Sequence, residues 1–484
     1  MSAFRGHFEV IALAGLGVVP ALAYAGTQEN LDLETGSFFE SIWYSGPSTN
    51  RVDITFIGDG YTNSEREQFK ADARSFADAI LNPTYDPFLK KYNNFFNIQM
   101  VGYDSETSTR SFTTASEFAS AKTALGTTMF GPKYDADDGN TGKSWKDFPK
   151  SAESRLFAAQ NVYFGTNLGT PYYKSELIKN SEGVSLYTYM GSGSIRPETT
   201  VIMINSGVYG GLTNSNGLVL ASSAGSSAKE VFLHEYAHAL AGLGDEYTNS
   251  DQLHPTNKVN IITSDAKPTD AQIKWSYWIE YQKENGIDYS GEIGVFEGAA
   301  GKPTGYWRPS ADSKMKTLNR PFDAVSREAF ILAIYGKVRP IDSYTLGTVE
   351  GSQLANYLNF QVGDDKNGGA IDLALGQTLS VQVIDPDVIT IEWYADGILI
   401  SGASDGTLNP YVHGFAAGEQ HIFWAKCFDK AEDENGYKWV LQDPGDLLSQ
   451  SVYWTVTLIP EPSSYAICFA TLGLGWALVR RRRH

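Results

Sequence analysis

Apolar and polar positions change their period several times along the chain, and each change marks a predicted element. Val52 to Ile57 is an apolar run of strand length, and Ser64 to Leu81 recurs with helical spacing. Phe96 to Tyr103 and Thr200 to Asn205 read as further strands, and Gly217 to Ser222 as an edge strand bordering a cleft. Ala228 to Ala241 is good helix-forming material, with Val231, Leu233, Ala237 and Leu240 among its apolar members. Ser227 is placed to cap that helix, Glu230 sits at its third position in capping-box form, and Gly242 stops it. From about Leu346 the period becomes two. Thr378 to Val383, Ile389 to Tyr394, Ile398 to Ile400, His421 to Phe428 and Ser451 to Leu458 read as strands, with Asp396-Gly397 as a hairpin turn. The pattern predicts an α+β domain over 45–345, with a mixed twisted sheet and long helices. A small all-β, Ig-like sandwich follows over 346–458, with Trp393, Trp424 and Trp454 as its core anchors. Those tryptophans also raise the alternative of a carbohydrate-binding platform.

Both ends carry apolar runs of another kind. Residues 10–23 (VIALAGLGVVPALA) follow Arg5 and end in Ala23-Tyr24-Ala25, a small-x-small pattern; this reads as a secretory signal peptide over 1–25, with Glu9 out of place in its basic region. A linker over 26–44 leads into the first domain. At the other end, Pro460-Glu461-Pro462 precedes an apolar stretch from Tyr465 to Val479 and then Arg480 to Arg483. As a helix that stretch spans about 22 Å, short of a hydrocarbon core of ~30 Å. The three features in this order, over 459–484, resemble the PEP-CTERM sorting signal of certain Gram-negative bacteria. The resemblance implies export to the outer surface or extracellular matrix. It also implies transient anchoring in the inner membrane through the C-terminal helix and processing near Pro462 by an exosortase-type enzyme. A plain C-terminal anchor is the alternative.

Charge and cysteine content narrow the classes. The 484 residues carry a formal net charge of −18, and their one dense basic run is Arg480 to Arg483, so a nucleic-acid partner is excluded. Only Cys427 and Cys468 are present, which excludes a disulfide framework as the basis of stability.

Chemistry concentrates in the second predicted helix. Among seven histidines, His234 and His238 stand four apart, so both rings leave one helical face and can grip one Zn2+ ion. Glu235 lies beside the first of them, where its carboxylate can take a proton from a water on the metal. A catalytic zinc site needs three protein ligands and an open position. Gly244 allows a turn that brings Asp245-Glu246-Tyr247 back toward the ion, with Asp245 the preferred third ligand and Glu246 the alternative. His254, before Pro255 in a polar loop, is a further candidate.

The stretch HEYAHALAGLGDEY (234–247) resembles the signature of the IgA-peptidase-like family of zinc metallopeptidases. Residues 50–69, with their Gly-Asp-Gly-Tyr turn, and residues 305–330 add to the likeness, which spans about 45–335. It implies a metzincin-like fold, a zinc endopeptidase acting on a protein or peptide substrate, and Met315 in the turn beneath the metal. Tyr247 and Tyr306 are the candidates for donating to the oxyanion. One departure from the wider metzincin pattern is visible: Asp245 follows His238 by seven residues rather than six, an offset that the narrower family shares. A calcium-type loop at Asp135 to Asn140 is disfavoured, because Lys146 stands where a bidentate glutamate is needed. The rival function is a surface adhesion or matrix-binding protein that keeps the peptidase fold only as a scaffold; the intact Glu235 argues against it.

Overall fold

The computed structural model describes residues 31–33, 37–113, 117, 121–123, 198–213, 218–250, 253–347 and 365–460. The expected signal peptide, the acidic loop at 135–140 and nearly all of the expected sorting segment lie outside them. Among the described residues no helix is long and apolar enough to cross a membrane.

The first body is built on a seven-stranded sheet. Its strands are β1 (Leu31–Leu33), β2 (Ser37–Trp43), β3 (Val52–Asp59), β4 (Phe96–Tyr103), β5 (Thr199–Ile204), β6 (Gly211–Thr213) and β7 (Leu218–Ser222), in the order β1-β2-β4-β3-β5-β7-β6. The central four pair in parallel, while β2 and β6 run antiparallel to their neighbours. Every residue of β3 and β5 is buried, as expected of central strands covered on both faces. The predicted edge strand is corrected here. Residues 218–222 are β7, flanked on both sides, and the terminal strand is the shorter β6, which carries too few apolar residues to give a periodic signal.

Two helices pack on one face of this sheet. α1 (Arg66–Leu81) presents Phe69, Ala73, Phe76 and Ile80, the helical spacing that buries one stripe. A capping box just before it, between Thr62 and Glu65, starts the chain turning. After the short α2 (Pro87–Lys91) comes α3 (Ala228–Ala241), whose Phe232 stacks on Phe76 at 5.0 Å and meets Phe56 of β3 edge-on at 5.4 Å. Tyr236, one turn later, stacks on Phe232. Phe232 and Tyr236 therefore fix one face of α3 against sheet and helix, and the face about 200° away, bearing His234 and His238, is turned out of the core.

A second, three-stranded sheet orders β8 (Ile262–Thr263), β10 (Lys302–Ser310) and β9 (Ile293–Ala299), with α4 (Ser276–Asn285) against it. α5 (Ala324–Tyr335) closes the body against α3, where Phe330 meets Tyr236 at 5.7 Å.

The C-terminal body has two sheets. Strands β11 (Ile341–Tyr344), β13 (Leu379–Val383) and β16 (Thr407–Leu408) form one. The other runs β12 (Lys366–Ala374), β18 (Ser449–Ile459), β17 (Gln420–Asp429), β14 (Ile389–Ala395), β15 (Ile398–Leu399). Because β11 pairs with β13, this body begins near Ile341, a few residues before the expected boundary. Asp396 and Gly397 both take positive φ, as the two-residue hairpin predicts. Trp393 and Trp454 stack in the core at 5.6 Å, and their indole N–H groups donate to Asp405 and Thr345. Trp424 is a correction: it lies on the opposite, outer face, half-buried, stacked between Tyr394 and Tyr453. Alternation along β17 sends Phe423, Ala425 and Cys427 inward, and 424 is out of phase with them. The two bodies are joined by buried polar contacts. Arg51 grips Asp342 with two nitrogens at 2.8 Å, and Asp429 accepts from both Tyr92 and Tyr335.

Candidate metal centre

α3 starts without the expected side-chain cap. Ser227 makes no capping bond through its hydroxyl; its carbonyl accepts from Glu230 and Val231 instead. Glu230 is drawn away by a stronger partner, the ammonium of Lys314 at 2.5 Å. The other end behaves as predicted: Gly242 takes φ +62° and donates to Ala237. Gly244 follows in a place where a side chain would strike Ile261 and Lys258. Its backbone is pinned from both sides by Asn260, whose amide accepts from Gly244 N and donates to Gly244 O. The chain thus reverses within a few residues and carries Asp245 back over the helix.

The result is a tight convergence. His234 Nε2, His238 Nε2 and Asp245 Oδ1 lie 3.1–3.2 Å from one another. All three belong to a His-His-Asp group able to hold a metal ion. Both histidines direct Nδ1 at a carbonyl oxygen: His234 at Lys314, 3.0 Å, and His238 at Leu243, 2.7 Å. A carbonyl only accepts, so each Nδ1 carries a proton and each Nε2 is the nitrogen left to face a metal. Three such atoms facing one another in a buried site repel unless a proton or a cation stands among them. Tetrahedral zinc with bonds near 2.1 Å separates its ligands by about 3.4 Å, close to the spacing here. The residues present fit the metal that the motif implies.

Electrostatics point the same way. Burial disfavours a charge on His238, yet the carboxylate of Asp245 outweighs it and holds the imidazole up at about 9. Asp245 is held well below the usual carboxylate range; burial opposes this, and His238 together with hydrogen bonds from His234, His238 and His254 prevails. Without a metal, the site draws in a proton where the metal would supply the positive charge.

Glu246, the alternative third ligand, turns the other way. It is fully buried, accepting from Asn260 at 2.8 Å and Ser313 at 2.6 Å. Burial, then the neighbouring carboxylate of Asp323, push its pKa well up. Met315 is completely buried, and its carbonyl accepts from Glu246 N at 2.8 Å. The turn Ser313–Lys316 therefore underlies the trio, supporting His234 through Lys314 and the returning chain through Met315. Tyr247 lies against the site, its ring 6.5 Å from that of His234 and its hydroxyl 3.4 Å from His254 Nδ1. Burial, then the charges of Asp245 and Glu235, raise its pKa strongly, so the hydroxyl stays a donor. Tyr306 lies on β10 opposite Thr263 and takes no part in the contacts that hold the trio. His254 contacts Asp245 Oδ2 rather than joining the three converging atoms.

Glu235 is half-buried beside the trio. Its Oε2 accepts from Thr213 on β6 at 2.8 Å, and the same hydroxyl reaches the Glu235 carbonyl. A Cβ at Gly211 would strike Val231 and the Glu235 side chain, so glycine lets β6 approach α3 this closely. Sequence reasoning had no means of finding Thr213, Lys314, Ser313 or Asn260. Each is distant in sequence from the residue it supports, and only the fold brings them together.

A search of curated proteins finds no match to the chain. Residues 41–138 match the family profile described as IgA Peptidase M64, a stretch that includes β3, α1 and β4, the strand and helix on which α3 rests. The match ends well before the His-His-Asp trio, and the two findings meet through the packing of α3 on that scaffold. Together they support a peptidase of a metallopeptidase family, with a His-His-Asp cluster able to hold its metal.

Proposed function

We propose that the protein is an exported zinc endopeptidase of metzincin-like fold, with an Ig-like sandwich behind it and a C-terminal sorting segment. The observation that carries the proposal is the convergence of three potential ligand atoms, His234 Nε2, His238 Nε2 and Asp245 Oδ1, at 3.1–3.2 Å. These three would hold the zinc. A zinc ion bound there would supply Lewis acidity, lowering the pKa of a water toward neutrality.

The chain's own groups do the rest. Glu235 takes the proton of the attacking water and delivers it to the leaving amine. Thr213 keeps its carboxylate on the β6 side of the site, and Tyr247, held protonated, donates to the oxygen that gains charge. An extended protein or peptide substrate adds to β6, the terminal strand, alongside Glu235. Export, anchoring and exosortase-type trimming rest on the sequence of the two ends.

Cleavage of an unfolded protein by the purified protein tests this, with zinc, with chelator, and with Glu235→Gln. The variant is expected to keep one zinc per chain and lose at least ~100-fold in kcat. Undiminished turnover would sink the role of Glu235. Bound zinc with no cleavage of any substrate would move the reading to the adhesion scaffold.

A further inference from the structure

The third member of the trio has two oxygens, and the structure treats them differently. Oδ1 of Asp245 faces the two histidines, whereas Oδ2 lies 2.6 Å from Nδ1 of His254. His254 Nε2 in turn lies 2.9 Å from the hydroxyl of Ser250. One tautomer satisfies both contacts: Nδ1–H donates to the carboxylate, and Nε2 accepts from Ser250.

The backbone brings His254 to this position with a separate device. The β9–β10 hairpin reverses at Ala300 and Gly301, both at positive φ. Ala300 N donates to the carbonyl of Asp245, and Ala300 O accepts from His254 N. Gly301 N donates to Tyr247, and its carbonyl accepts from Ser250. One hairpin tip therefore holds Asp245, Tyr247, Ser250 and His254 in mutual register. His254 itself is partly buried, its ring edge-to-face with Tyr247 at 5.2 Å.

We propose that His254 is a positioning residue for the metal site: it holds Oδ2 of Asp245 by a hydrogen bond and so presents Oδ1 alone as the third ligand. This rests on the reading of His234, His238 and Asp245 as zinc ligands. A carboxylate left free to rotate would spend much of its time with neither oxygen aimed at the metal. Partners that orient a ligand in this way are commonly worth 10–100-fold in metal affinity.

Zinc affinity of the otherwise intact protein, measured by competition with a chelating dye in the absence of substrate, tests the assignment. His254→Ala is expected to bind one zinc per chain with a Kd raised about 10–100-fold. His254→Asn places an amide N–H where Nδ1 stood and is expected to return to within about threefold of wild type, as donation alone requires. The visible spectrum of the Co2+-loaded protein is expected to keep the same band positions in wild type and His254→Asn, because His254 is not itself a ligand. Thermal unfolding with the metal stripped checks that each variant is folded. An alanine variant with wild-type affinity would overturn the proposal. So would an asparagine variant as weak as alanine, and a changed Co2+ spectrum in His254→Asn would make His254 a ligand instead. Wild-type protein that binds no zinc would refute the zinc reading itself, a result distinct from any of these.

Discussion

Along α3 the residues Glu230, His234 and His238 form one row, four apart, and the two ends of that row meet opposite fates. At the first turn Glu230 and Asp86 converge on Lys314, whose ammonium lies 2.5 Å and 3.2 Å from them, with side-chain exposures of 0–6%. That cluster carries its cation on the chain. One and two turns later His234 and His238 converge with Asp245 in a group able to hold a metal ion. Lys314 belongs to both: its side chain completes the first cluster and its carbonyl fixes the tautomer of His234 in the second. The contrast separates a structural ionic cluster from a candidate metal site. What distinguishes them is whether a lysine of the chain supplies the cation.

The comparison breaks most visibly at Lys314. Lys314→Met removes the cation and leaves two buried carboxylates facing each other. Breaking such a buried network costs about 3–5 kcal/mol, read as a shift in urea unfolding at pH 8. The sign of its pH dependence follows from Asp86, whose pKa burial already raises with Lys314 present. A carboxyl raised in the folded state binds a proton that the unfolded chain releases, so its contribution to stability is lost as pH rises. The variant is therefore expected to recover part of its deficit when the same measurement is made at pH 5. A loss below about 1 kcal/mol at pH 8 would mean that Lys314 is not the cation on which the two buried carboxylates depend.

The metal cluster is expected to show the complementary response. Zinc at 100 times its Kd should stabilise wild type by about 2.7 kcal/mol relative to the chelated protein. The double variant His234→Ala/His238→Ala should gain almost nothing from the same addition. Equal gains in both proteins would place the stabilising zinc elsewhere and remove the contrast.

How far these clusters could be read from sequence follows from the distances along the chain. β4 and α3 emerge with the predicted bounds, because apolar spacing is a local signal that burial then enforces. His234, Glu235 and His238 were legible as a helical motif, and Asp245 as the acid after a glycine turn. Thr213, Asn260 and Lys314 were not, since nothing local distinguishes them from surface residues. Trp424 failed for a related reason: composition identified an aromatic, while its face depended on the register of β17 against β14 and β18. Strands β11 and β12 were missed, β11 because it is short and β12 because Gly368 and Gly369 interrupt its alternation.

The finest distinction lies where the row on α3 ends. His234 is held by a carbonyl from across the fold, but His238 is held by Leu243 O, a carbonyl of the helix's own terminal turn. That turn depends on Gly242 at φ +62°, where an added Cβ would meet nothing within 4 Å. Any cost of substitution there is conformational rather than steric. Gly242→Ala is expected to lower stability by about 1 kcal/mol, and Gly242→Asn by less, because asparagine tolerates the left-handed region better. Thermal unfolding of the chelated proteins reads both. If the turn also sets the aim of His238, zinc affinity should follow the same ranking: glycine tightest, then asparagine, then alanine. Zinc binding unchanged in Gly242→Ala, despite the lost stability, would show that Leu243 O keeps His238 in place without the glycine, and the two ends of the row would then be equally robust.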